Sequence, residues 1–423
     1  MKQPQPYVQL LKTIHSSAGA ACKEAGYAVG LFDGSISEAE LSKLVASGTV
    51  ALGVRSKPSV SAALIAAGRD LRAIGCYCVG TDKVDLEAAS RRGIAVFNDR
   101  YSNTRSVAEL VMANVINLFR QIPRYDHAMH AGVWTKDDDI GVEVRGKTIG
   151  IVGYGAIGSQ VSVLAKALDM NVLYVDPDQK VPTYGRARRC STLKALLEQA
   201  DVVSLHVSLN ETSRSLLDAA ALAHMKPGSF LINASRGEVV DYDALAEALS
   251  SGHIAGAAVD VYTSEPGKKG DAFTHPLQNY ETVILTPHIG GSTRESQVAI
   301  AQETSARLLD FLATGNTVGS VNLPEMPLGL VFSGRFRITN VHENVPGVIA
   351  AISECISQAG LNVAGMSLKT RGDVGYVAYD VETGDGAAVA KVCTAIDALS
   401  TTWRTTLLNN QGAGPPAPAS QPE

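Results

Sequence analysis

Three side chains between Asn233 and Ser292 are of types that grip anions and move protons: Arg236 in NASRGEVVD, Glu265 in DVYTSEP and His288 in LTPHIGGST. An arginine offers a rigid, permanently charged fork suited to a substrate carboxylate, or else a structural salt bridge. An imidazole beside a carboxylate has its tautomer held and its charged form favoured, so it can take the proton of a hydroxyl. Taken singly, a histidine at a strand end is an ordinary structural residue; the case for chemistry comes from what precedes it in the chain. In Gly150–Ser159, GIVGYGAIGS, a β-branched run leads into Gly153, Gly155 and Gly158, and a second apolar run ends in Asp176. The first glycine makes a tight turn, the second lets backbone approach a pyrophosphate, and the third lets helix pack on strand. Ala156 and Ile157 then open a helix whose N-terminus faces the anion. An acid about 20 residues past the turn can bond both ribose hydroxyls and repels a 2′-phosphate, so the cofactor expected is NAD rather than NADP.

These residues need a scaffold that presents strand ends. From Lys147 to His288, strands are expected at Thr148–Val152, Asn171–Tyr174, Val202–Leu205, Ser229–Asn233, Ile254–Val259 and Val283–Leu285, alternating with helices. That pattern makes a doubly wound parallel sheet, whose ligands lie beyond the carboxyl ends of its strands. Asp176, His206, Ser235 with Arg236, Asp260 and His288 each follow an apolar run, and should converge at one sheet edge. The first hundred residues also alternate: strands at Val8–Leu11, Ala28–Leu31, Val50–Val54, Leu71–Cys78 and Ile94–Phe97, with a helix near Ser16–Ala25. A long helical stretch, from Val107 through Arg120 to about His130, precedes the glycine motif. After a helix at Gln297–Ala313, residues 314–330 carry Gly, Pro and Asn with little periodicity and read as a linker. The remainder reads β, α, β, β, α, β, a ferredoxin-like module, with strands at Phe336–Val341, Val363–Leu368, Tyr376–Val381 and Thr401–Leu408. Beyond Asn409 the tail cannot bury apolar surface and is expected to be disordered.

A chain of 423 residues implies two or three cores, and its net charge of −5 with interspersed signs leaves no footprint for nucleic acid or anionic membrane. Neither a bilayer-length apolar run nor a signal-peptide pattern is present, so a cytoplasmic location is expected. Six cysteines without a short-spaced framework read as reduced thiols. Cys76 and Cys78 form a C-x-C pair but lie in what reads as a buried strand running into a loop, and no zinc-spaced partners accompany them, so no metal is expected.

The strings GYGAIG, HVSLNETS, NASRGEVVD, AAVDVYTSEP and LTPHIGGST resemble the D-isomer-specific 2-hydroxyacid dehydrogenase family. The segments NTRSVAELVMANVINLFRQ, HAGVWTK, GCYCVGTDKVDLEAA and HENVPGVIA resemble the branch that oxidises 3-phospho-D-glycerate with NAD, at the entry to serine synthesis. The resemblance implies a Rossmann-type NAD domain (103–289) inserted in a flavodoxin-like α/β substrate domain (1–102 and 290–320), followed by an ACT regulatory domain (332–409) and a tail (410–423). It makes His288 the acid/base, Glu265 its partner and Arg236 the cation that orients substrate. NAD would be held by Gly153, Gly155, Ala156, Ile157, Gly158, Asp176, His206, Ala234, Ser235, Arg236, Asp260, His288, Gly290 and Gly291, with Asp260 on the nicotinamide amide. Substrate would meet Arg55, Ser56, Lys57, Gly80 and Asn103 as well as Arg236 and His288. It further implies a homotetramer in which Trp134 reaches a neighbouring subunit, and L-serine as effector at His342, Asn344 and Asn362. One departure stands out: close relatives place a lysine before a glycine where this chain has Asp33 before Gly34. Other readings are a 2-hydroxyglutarate, hydroxypyruvate or glyoxylate dehydrogenase, or an NAD-sensing interaction module without turnover.

Overall fold

The computed structural model describes residues 6–46, 48–134, 136, 141–178, 187–266 and 270–409; the expected disordered tail lies outside them. The chain divides into two compact units, Met1–Arg100 with Gln297–Glu423, and Tyr101–Ser296.

In the first unit, strands β1 (Tyr7–Leu11), β2 (Ala28–Phe32), β3 (Thr49–Val54), β4 (Ala73–Cys76) and β5 (Ala95–Asn98) form a wholly parallel sheet of order β2-β1-β3-β4-β5. This is the flavodoxin-like order, with its topological switch between β1 and β3. β3, β4 and β5 are almost wholly buried, as expected for central strands covered on both faces. Helix entries are fixed by short polar side chains: Ser37 and Glu40 complete a reciprocal capping box on the helix Glu38–Val45.

The second unit holds β6 (Thr148–Val152), β7 (Asn171–Val175), β8 (Arg188–Arg189), β9 (Val202–Leu205), β10 (Ser229–Asn233), β11 (Ile254–Val259) and β12 (Val283–Leu285). All pairs are parallel and the order is β12-β11-β10-β9-β6-β7-β8. Counted from β6, this is the 3-2-1-4-5-6 dinucleotide order with a seventh strand added, and the order reverses between β6 and β9. The expected single helical stretch before the sheet is two helices, Thr104–Phe119 and Ile122–His130. They break at Gln121, whose φ is +55°, because Pro123 has no N–H to continue the ladder and suits the first turn of a new helix.

In the C-terminal part of the first unit, β13 (Arg335–Glu343), β14 (Asn362–Arg371), β15 (Val374–Glu382) and β16 (Thr402–Asn409) form an antiparallel sheet of order β14-β15-β13-β16. The helices Val348–Gln358 and Gly386–Asp397 cover one face, where Ile338, Val377, Tyr379 and Val381 meet Ile352, Ile356, Val389, Val392 and Ile396. On the opposite face of the two central strands, Val341, Val374, Tyr376 and Ala378 join the core of the first sheet, while edge strand β14 stays exposed. Arg337, buried on that side, bonds both oxygens of Asp380 (2.6 and 2.8 Å) and the carbonyls of Thr314 and Gly329. Removing one partner of such a pair costs ~3–5 kcal/mol.

Residues 314–330 are therefore not a free linker. Thr317, Leu323 and Met326 are buried, Ser320 bridges Phe97, and the Asn322 amide bonds Val96 N, Ile94 O and Ser90 Oγ. Polar side chains replace the missing secondary structure in satisfying buried backbone, which lets an irregular strap lie inside the fold.

Candidate active site

The glycine turn leaves β6 at the switch point. Gly153 has φ +92°, and a Cβ there would sit 2.6 Å from His206 O; a Cβ on Gly158 would lie 2.2 Å from Gly153 O. Gly155 is the N-cap of the helix Ala156–Ala167; among the described residues it has no side-chain cap, and nothing beyond its chain neighbours lies within 4 Å of where a Cβ would stand. Uncapped N–H groups thus face open space at the positive end of a helix, and a pyrophosphate fits that cradle. At the end of β7, Asp176 is buried and accepts from Tyr154 N (2.7 Å) and Asp178 N (2.9 Å), which ties its carboxylate to the glycine turn. One further lone-pair direction on each oxygen suits ribose hydroxyls. These features fit NAD.

At β10, Asn233 organises the turn that carries Arg236. Its Oδ1 accepts from Ser235 N and Oγ, and its amide donates to Arg236 O and Tyr242 Oη. Arg236 Nη1 donates to Ser235 O. Ala234 begins the same turn, and Asp260 follows β11. The Asp260 carboxylate is buried and accepts from Thr286 Oγ1 (2.5 Å), Ile289 N (2.9 Å) and Gly290 N (2.8 Å). These three bonds clamp the loop after β12, in which His288 itself holds a left-handed φ of +55°. A β-unbranched residue tolerates that conformation at a cost, which the clamp offsets.

The clamped loop presents His288 with its side chain 46% exposed, and Nδ1 lies 2.8 Å from Glu265 Oε1. Because a carboxylate can only accept, Nδ1 carries the proton and Nε2 is left as the acceptor nitrogen of the ring. The hydrogen bond that His288 donates to Glu265 raises the imidazole pKa above its ordinary value against partial burial, with Glu265 and Asp260 charge adding and the Arg236 cation opposing. Arg236, Glu265 and His288 are thus electrostatically one cluster. His206, after β9, differs: burial lowers its pKa to about 4, its Nε2 meets Ser204 Oγ, and its Nδ1 is buried with no partner among the described residues. It stays neutral, and its backbone carbonyl lines the glycine turn.

The D-isomer specific 2-hydroxyacid dehydrogenase, NAD binding domain, matches residues 112–290. D-3-phosphoglycerate dehydrogenase of Escherichia coli (strain K12) is 42% identical over 400 residues, spanning 94% of this chain and 96% of that protein. The chain belongs to the D-isomer specific 2-hydroxyacid dehydrogenase family. The D-3-phosphoglycerate dehydrogenase of Dictyostelium discoideum is also 42% identical, over 95% of this chain and 97% of that one. Among solved structures, D-lactate dehydrogenase from Aquifex aeolicus complexed with NAD and lactic acid superposes with TM-score 0.65 at 26% identity, covering 75% of this chain and 100% of that one.

In this family member, the remaining expected residues distribute as follows. Arg55, Ser56 and Lys57 follow β3, and Gly80 lies in the loop after β4, where it accepts from Cys78 Sγ; all stand at the carboxyl edge of the first sheet. Asp33 follows edge strand β2, two strands from β3, and its Oδ1 accepts from Ser35 N and Oγ. Asn103 precedes the helix Thr104–Phe119; its Oδ1 is buried with no partner among the described residues, and its amide packs against Gly291. Trp134 is 77% exposed and so packs little against its own chain. His342 is buried with Nδ1 against Asn340 Oδ1, and Asn344 donates to Gly372 O, both at the Gly375 end of the sheet. Asn362 pairs with Glu382 at the other end, so one chain does not gather the three into a site. Sequence reasoning missed Asn233, Thr286 and Tyr262; Tyr262 Oη donates to Val259 O and Thr286 O and its N–H reaches Glu265. The only signal was that each neighbours a residue already singled out.

Proposed function

We propose that this enzyme oxidises 3-phospho-D-glycerate to 3-phosphohydroxypyruvate with NAD, the entry step to L-serine, and that L-serine inhibits it. The similarity to D-3-phosphoglycerate dehydrogenases across nearly the whole chain carries this reading; the His288–Glu265 pair supports its chemistry. Held at the Gly153–Gly158 turn and Asp176, NAD would supply the acceptor for the hydride leaving C2. His288 Nε2 takes the C2 hydroxyl proton, and Glu265 holds Nδ1–H and stabilises the imidazolium that results. Arg236 grips the substrate carboxylate through its planar fork, while Arg55, Ser56 and Lys57 bind the phosphate. Asn103 Oδ1 and Gly80 complete the substrate contacts, and Asp260 would orient the nicotinamide amide.

Two copies of the C-terminal module, related so that Asn362 of one approaches His342 and Asn344 of the other, would form each serine site, and exposed Trp134 supports a homotetramer. The protein works in the cytoplasm; no helix among the described residues is long and apolar enough to cross a membrane. The test is NADH formation from 3-phospho-D-glycerate with a product trap, with and without L-serine, beside 2-hydroxyglutarate and glycerate. Phosphate-dependent turnover suppressed by serine supports the proposal. Preference for the unphosphorylated acids would point instead to the second reading, which Asp33 favours.

A further inference from the structure

We propose that the first unit carries a second anion site, separate from the residues assigned to substrate, which takes a small phosphate-bearing anion. The site is a cavity of about 340 Å³ lined by Arg100, Ser320, Glu325, Lys369, Thr370 and Arg371. Three elements build it. Arg100 lies just past β5, Ser320 and Glu325 belong to the buried strap, and Lys369 and Arg371 are on edge strand β14. Register explains why the two β14 cations share the cavity: Lys369 pairs with Tyr376 and Arg371 with Val374, and both partners face the first-sheet core. Directly opposed residues share a face, so both cations project toward the strap.

Arg335 pairs with Glu382 and Arg337 with Asp380. Among the described residues, no carboxylate pairs with Arg100, Lys369 or Arg371; Glu325, the one acid in the lining, instead accepts from Gly319 N. Arg371 Nη1 is anchored on Val321 O at 2.9 Å, which fixes the guanidinium at the wall and leaves its other N–H groups for a ligand. The strap is itself held to β5 by Val321 N→Val96 O and the Ser320–Phe97 bridge. A rigid guanidinium, an ammonium and a second guanidinium around a pocket of this size suit a tetrahedral dianion carrying a few further atoms. A bound anion ties β14 to the strap and to the end of β5, and so stiffens the docking of the module.

Titration calorimetry of the full chain at constant ionic strength tests this, with inorganic phosphate and glycerol 3-phosphate as probes. The background is Arg55→Ala/Lys57→Ala, so that loss of the proposed substrate phosphate site is distinguishable. Binding should persist in that background. It should weaken about tenfold or more with Lys369→Gln/Arg371→Gln, as expected for two surface charges, and tighten about threefold with Glu325→Gln, which removes one charge. Tighter binding of the monoester assigns the site to a phosphorylated metabolite, and tighter binding of phosphate to the free ion. Binding abolished by the Arg55/Lys57 substitutions alone, insensitive to Lys369→Gln/Arg371→Gln in a variant of unchanged melting temperature, or absent for both probes, overturns the proposal.

Discussion

His288 and His342 are both held through Nδ1, yet the two regions treat the imidazole in opposite ways. His288 meets a carboxylate, Glu265, at 2.8 Å on a half-open loop, and its pKa is raised. His342 meets an amide, Asn340, at 3.1 Å inside a sheet; burial lowers its pKa, with a smaller opposing contribution from Asn340. The first environment stabilises an arriving proton, and the second excludes one. A histidine's partner and access to solvent, more than its place near a strand end, decide whether it can carry a proton or serve as a neutral hydrogen-bonding group.

The largest test of that contrast is His288→Ala. Turnover should fall ~10³-fold or more, in the range for loss of a general base, while NADH binding measured by fluorescence changes little. In the other region, His342→Ala should leave serine-free turnover within about twofold and abolish inhibition by L-serine. If both variants lost turnover equally, the division of labour would be wrong. Arg236→Lys keeps the charge but not the fork; kcat/KM should drop ~10²-fold, mostly through positioning of the carboxylate.

A smaller effect separates the two histidines by pH. The lowered pKa of His342 means that the unfolded chain binds its proton more tightly, so its contribution to stability is complete above the ordinary value near 6.5 and is lost as pH falls below it. For His288, raised in the fold, the contribution is present below about 6.5 and is lost as pH climbs through the folded value. Wild type should therefore lose roughly 2 °C more than His342→Gln in melting temperature between pH 7.5 and 5.5; equal losses would refute the buried neutral state.

Much of this is legible in the sequence. Apolar runs that stop at Asp176, Asp260 and His288 announced strand ends, because a parallel sheet places ligand residues there. The glycines of the turn were legible because backbone contacts at 2.6 Å or less leave no room for Cβ at Gly153 and Gly158. Less was visible where structure rests on tertiary partners. The break at Gln121 shows only as a weak proline signal, and β8 is two residues long. The strap at 314–330 looks like a linker because its polar residues serve buried backbone instead of solvent. Nor does a βαββαβ pattern say what covers the open face of its sheet, here the core shared with Val341 and Tyr376. The supporting role of Asn233 depends on four bonds whose geometry no spacing encodes.

The central claim is that Glu265 sets the proton affinity of His288. The pH dependence of kcat/KM for oxidation of 3-phospho-D-glycerate, compared between wild type and Glu265→Gln, tests it most directly. The base must be neutral, so the rate should rise through an acidic limb. That limb should move to lower pH in the variant, because the lost carboxylate no longer favours imidazolium. A limb that stays in place while the rate merely falls would contradict the pairing and assign the titrating group elsewhere.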